Sequence, residues 1–163
     1  MMMKALVWIG VGLAFMLSCT RASTRISTAE FANLTQQVAD AWTQRNTEAA
    51  LACFTTDAVY YQPPDEQFYQ GHAQLKPYFD ALKEGTVMRI HHTWFDEASQ
   101  RGAIEFTFGN TATDTGVSGV VVITVKDGKI AEWREYFIAG PLDFKEFSST
   151  EGKEWKWHIG NYP

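Results

Sequence analysis

Three side chains of this sequence have the chemistry to move protons: Glu105 in the stretch GAIEFTF, Glu135 in WREYF and His92 in TVMRIHHTWF. Two carboxyl groups in one apolar site oppose each other's ionisation and so raise one pKa, while an imidazole exchanges its proton near neutrality. Gathered round one pocket, the three would supply a general acid and a general base. The same residues have plainer uses. A histidine on an apolar strand face can be a hydrogen-bonded core residue, and each glutamate can satisfy buried backbone, pair with a lysine, or pair with His92. No two histidines stand four apart and no Cys/His spacing suits zinc, so neither a metal nor a cofactor is expected.

Strands must position these groups. DGKIAEWREYFI opens with a turn at Asp127-Gly128 and continues as aromatic and β-branched sequence. Alternation puts Ile130, Glu132, Arg134 and Tyr136 on one face and Ala131, Trp133, Glu135 and Phe137 on the other. Each face carries an aromatic and a charge, so alternation alone does not say which meets the core. In TVMRIHHTWF the more apolar face holds Met88, Ile90, His92 and Trp94, leaving Arg89, His91 and Thr93 opposite. Glu105 and Thr107 share a face with Ala103.

The remaining elements read in order along the chain. Ser27-x-x-Glu30 is a capping box, and Phe31, Leu34, Val38, Ala41 and Trp42 follow at helical spacing. RNTEAALACF is a second short helix capped by Asn46 or Thr47. DAVYYQPP is a strand stopped by prolines, DEQFYQG a loop or hairpin return, and His72–Leu82 a third helix that contains Pro77. Long strands then span Thr86–Asp96, Gly102–Thr113, Gly116–Lys126 and Lys129–Ile138. Helices first and an antiparallel meander afterwards make an α+β domain, with three helices packed on a strongly curved antiparallel or mixed sheet. Such a sheet leaves a cone on its concave side, and aromatics lining it would make a ligand site.

Length and composition narrow the class. The chain has 163 residues, enough for one domain, and its net charge of −5 gives no reason to expect nucleic-acid binding. Lys4, the apolar run Ala5–Leu17 and MLSCT form a targeting segment too short for a confident membrane span. It resembles a bacterial lipoprotein signal with Cys19 as the lipidated residue, which places the protein at the cell envelope, lipid-anchored on the periplasmic side or secreted. Cys53 then has no partner and reads as a small buried hydrophobe. The expected divisions are a signal peptide over 1–19, a tether over 20–27, the domain over 28–138 and an aromatic-rich tail over 139–163. Trp155 and Trp157 could make that tail a lid, a plug or the cover of a dimer edge.

The order and spacing of EAALACF-x-x-DAVYYQPP, Gly71-His72-x-x-Leu75-x-x-Tyr78-Phe79 and DGKIAEWREYF resemble the NTF2-like superfamily, in particular its SnoaL-like branch, over about residues 28–138. The resemblance implies a cone with Trp133, Glu135 and Phe137 on its inner side, and a convex face bearing Arg134 and Tyr136 through which such proteins often form homodimers. Related ketosteroid isomerases place a base, an acid and a phenol where this sequence has Gln62, Val120 and Val38, so their residue set is missing. Limonene-epoxide hydrolases have a carboxylate matching Glu135, but the Arg expected near Glu105 and Thr107 is absent.

The expected function is therefore binding of a small apolar or aromatic molecule in the cone. Trp42, Tyr60, Gln62, Phe79, Trp94, Thr107, Val120, Trp133 and Phe137 are the candidate ligand contacts, although the aromatics among them could equally be core. One alternative is a cofactor-free isomerase, cyclase or hydrolase using Glu135, Glu105 and His92. Another is an interaction protein with a filled cone.

Overall fold

The computed structural model describes residues 24–63 and 67–152; the targeting segment, Cys19, Trp155 and Trp157 lie outside the described residues. Helix α1 (Thr28–Thr43) begins with the expected capping box. The Ser27 hydroxyl accepts the Glu30 N–H at 3.3 Å, and the Glu30 carboxylate accepts the Ser27 N–H at 2.7 Å. Its Phe31, Leu34, Val38, Ala41 and Trp42 stripe is buried. Asn46 caps α2 (Thr47–Ala52) by accepting the Ala49 N–H at 3.0 Å. The end of the expected tether is anchored: Gln100 exchanges two hydrogen bonds with the backbone of Ile26, whose side chain is buried.

Strand β1 (Phe54–Gln62) pairs antiparallel with β2 (Gln67–Gln70), so part of the stretch expected as loop is a strand. Helix α3 (Gly71–Asp80) starts one residue earlier and ends two earlier than expected, with Pro77 inside it. The meander follows as β3 (Thr86–Asp96), β4 (Arg101–Asn110), β5 (Thr115–Lys126) and β6 (Lys129–Pro141). The β5–β6 turn places Asp127 at φ 51° and Gly128 at φ 77°, the two left-handed residues of a tight hairpin. Strand β6 runs three residues past Ile138 because Pro141 still pairs with Thr115.

These strands form one curved, mixed sheet in the order β2-β1-β6-β5-β4-β3, in which only β1 and β6 run parallel among the described residues. α1 packs against β3 and α3 against β1, and the core between helices and sheet contains Trp133, Tyr60, Phe31, Phe54, Phe79 and Phe106. After β6 the chain turns onto the opposite, outer side. There Leu142 is buried and Phe144 of the short α4 (Phe144–Ser148) stacks on His91 with ring centroids 3.8 Å apart. The described part of the tail thus covers part of the outer side of the sheet.

One irregularity governs which side chains reach the core. Ile90 pairs with Phe106 and His92 with Glu105, so His91 is an extra residue in β3. This bulge shifts the alternation by one. Met88 and Ile90 face the helices before it; afterwards Thr93 and Phe95 do, and Phe95 stacks on Phe31 of α1 at 4.4 Å. His92 and Trp94, expected on the same face as Met88 and Ile90, lie on the outer side.

Candidate functional site

On the helix side the packing leaves a cavity of about 200 Å³, lined by Trp42 of α1, Tyr60 and Gln62 of β1, Gln67 of β2 and Tyr78 of α3. Its sheet wall is Phe106 and Phe108 of β4, Val117 of β5, and Glu135 and Phe137 of β6. A larger, more open groove of about 580 Å³ shares Phe108 and Val117 with it and continues past Leu82 at the end of α3.

Glu135 is the charged residue among these walls, and only 3% of its surface is exposed. The Trp133 indole N–H donates to Oε1 at 2.6 Å, and the Gln62 amide donates to Oε2 at 2.7 Å. The parallel β1–β6 pair makes this possible, since Tyr60 lies beside Trp133 and the Gln62 side chain follows on the same face. Gln62 also reaches the Tyr60 hydroxyl at 3.2 Å, which lies 3.1 Å from the Tyr78 hydroxyl. Tyr60 and Trp133 stack nearly parallel.

Burial pushes the Glu135 carboxyl above the usual carboxylate range, while hydrogen bonds from Trp133, Gln62 and Tyr60 pull the other way without cancelling it. Among the described residues, no Lys, Arg or His pairs with it. Burial, reinforced by the Glu135 charge, raises Tyr60 and Tyr78 well above the ordinary phenol value, so both keep their protons. The Trp42 indole N–H is buried without a hydrogen-bond partner among the described residues. The arrangement offers a ligand an apolar wall, ring faces and one carboxyl group of raised pKa.

The candidates from sequence divide between the two sides of the sheet. Trp42, Tyr60, Gln62, Glu135 and Phe137 line the cavity; Trp133 holds the carboxylate from behind it; Phe79 packs beneath Trp42 in the core. Glu105, His92, Trp94, Thr107 and Val120 stand on the outer side. His92 Nδ1 and Glu105 Oε2 pair there at 2.5 Å, so the proposed three-residue acid–base set is not brought together. Thr107 is buried on that side, bonded to His91 at 2.9 Å and Ser118 at 3.1 Å. Val120 and Trp94 are exposed.

Sequence reasoning missed Tyr78, Gln67, Phe106, Phe108 and Val117. The signal for the two phenylalanines was present: Ile104, Phe106 and Phe108 alternate as the apolar face of β4, opposite Ala103, Glu105 and Thr107. Tyr78 stands three residues after the buried Leu75, on a flank of the helical stripe.

Solved structures share this fold at low identity. A protein of unknown function with a cystatin-like fold from Methylobium petroleophilum PM1 is 20% identical with a TM-score of 0.64, over 82% of this chain and 100% of that one. An LEH-like epoxide hydrolase from M. tuberculosis is 19% identical with a TM-score of 0.56, over 68% of this chain and 84% of its own. The epoxide hydrolase/cyclase-like enzyme SalBIII, which has a role in pyran ring formation in the polyether salinomycin, is 16% identical with a TM-score of 0.61, over 69% and 96%. These likenesses establish architecture alone. No curated protein matches the chain. The family model of the SnoaL-like domain matches residues 35–133, most of the region from α1 to the strand that carries Glu135, and the chain belongs to that family.

Proposed function

We propose that this protein binds a small, largely apolar molecule in the helix-side cavity, with the Glu135 carboxyl as its polar anchor. The observation that carries this reading is a buried carboxyl on the wall of an aromatic cavity, held by neutral donors and by no charge partner among the described residues. Burying a carboxylate without a charge partner is costly, which marks the position as one where a ligand would compensate the group. A volume of about 200 Å³ restricts the ligand to a compact one, below the usual range for drug-sized pockets. Tethering through Cys19 would place this binding at the cell envelope.

Native mass spectrometry of the full chain, purified gently from its own host, tests the reading. The expected result is a small molecule retained by the wild type and released on denaturation, and absent from Glu135→Gln. A molecule-free mass in both, together with no binding from a fragment library, would count against it.

A second reading rests on the raised pKa of Glu135. A carboxyl shifted towards neutrality can act alone as a general acid or base on a bound substrate. Glu105 and His92 take no part, since they lie across the sheet from the cavity. Turnover of epoxides or enolisable ketones that vanishes in Glu135→Gln would establish this chemistry; no turnover by the wild type across such a panel would remove it.

A further inference from the structure

The cavity also carries information about the charge of what it binds. Glu135 already has donors on both oxygens, Trp133 on one and Gln62 on the other, with the Tyr60 hydroxyl contributing as well. Both oxygens are thus already met by neutral donors, and what the carboxylate lacks among the described residues is a positive charge. Among the described residues the elements packed around it supply none: β1 presents Tyr60 and Gln62, β2 Gln67, α3 Tyr78, α1 Trp42, β4 Phe106 and Phe108, β5 Val117, and β6 itself Trp133 and Phe137. Of these only Tyr60 and Tyr78 titrate, and both stay neutral because burial raises them.

What surrounds the carboxylate is mostly ring. Aromatic faces carry negative quadrupole potential and attract a desolvated cation. A primary ammonium has three N–H donors to satisfy in an apolar cavity whose acceptors are few. A quaternary ammonium has none, and its methyl surface suits apolar walls. Resting on the binding reading above, we propose that the cavity selects a small organic cation of the alkylated ammonium class, which rings hold by their faces and Glu135 neutralises.

Isothermal titration of the full chain with choline and with its neutral carba-analogue, in which carbon replaces the nitrogen, separates charge from shape. The expected result is a preference for choline of roughly tenfold or more. Protons compete for the same carboxylate, so choline affinity should fall as pH drops through the Glu135 pKa, whereas affinity for the carba-analogue should not. Glu135→Gln should bring choline down to the level of the carba-analogue; circular dichroism checks its fold, and the wild-type comparison stands without it. Equal or tighter binding of the carba-analogue would overturn the cation assignment while leaving the cavity as a binding site for neutral molecules. Binding of neither at millimolar concentration would overturn the cation assignment, and the fragment library and native mass would then report separately on whether the cavity binds anything.

Discussion

Two glutamates occupy neighbouring regions of one sheet and have opposite lives. Glu135 on the helix side is buried among rings, held by neutral donors, and shifted upward by loss of water. Glu105 on the outer side pairs with His92, whose side chain is 63% exposed. Two carboxyls that looked equivalent on paper thus belong to different solvents. The contrast teaches that a carboxyl acquires chemical potential from what surrounds it, and that an ion pair in water spends most of its electrostatic energy on screening.

The strongest way to break this contrast is to remove what holds the inner carboxylate. Trp133→Ala deletes a fully buried ring that stacks on Tyr60 and donates to Glu135, and should cost about 3–5 kcal/mol in urea unfolding. A loss below about 1 kcal/mol would mean that the inner side is not close-packed.

A sharper test concerns the slope of stability with pH. The Glu135 pKa is higher in the folded than in the unfolded chain, so the folded state holds the proton more tightly. Relative to Glu135→Gln, the wild type should be most stable below the unfolded carboxyl pKa and lose that advantage as pH rises through the folded one. Parallel stability curves for the two proteins would show that the carboxyl is not desolvated. The smallest effect belongs to the outer pair. His92→Ala should change stability by less than about 1 kcal/mol, and less again at high salt, as thermal unfolding can measure.

How much of this was legible in the sequence follows the same division. The capping box at Ser27 and Glu30, the Asn46 cap, the meander and the α+β class are local or periodic signals, and the structure carries each of them. Resemblance supplied the inner placement of Glu135, which strand alternation could not. His92 and Trp94 were misplaced because a bulge inserts one residue without any change in composition; nothing in HHTW announces it. Glu105 and Thr107 are site candidates by their polar chemistry alone, whereas the alternation of Ile104, Phe106 and Phe108 is the signal for the face that turns inward. The Gln62–Glu135 contact depends on a parallel pairing between distant strands, which periodicity does not encode.

That pairing has a consequence for how the protein comes into being. Gln62 and Glu135 lie 73 residues apart, and β6, which carries the carboxyl, is the last strand of the sheet. A ribosome that has released everything up to β5 has made α1 to α3, β1 and most of the aromatic wall, but the sheet still lacks the strand that sits between β1 and β5. Contacts at such separation are entropically late. The cavity is therefore a property of the finished chain, and a molecule that fits it would bind only completed copies and draw the folding equilibrium towards them.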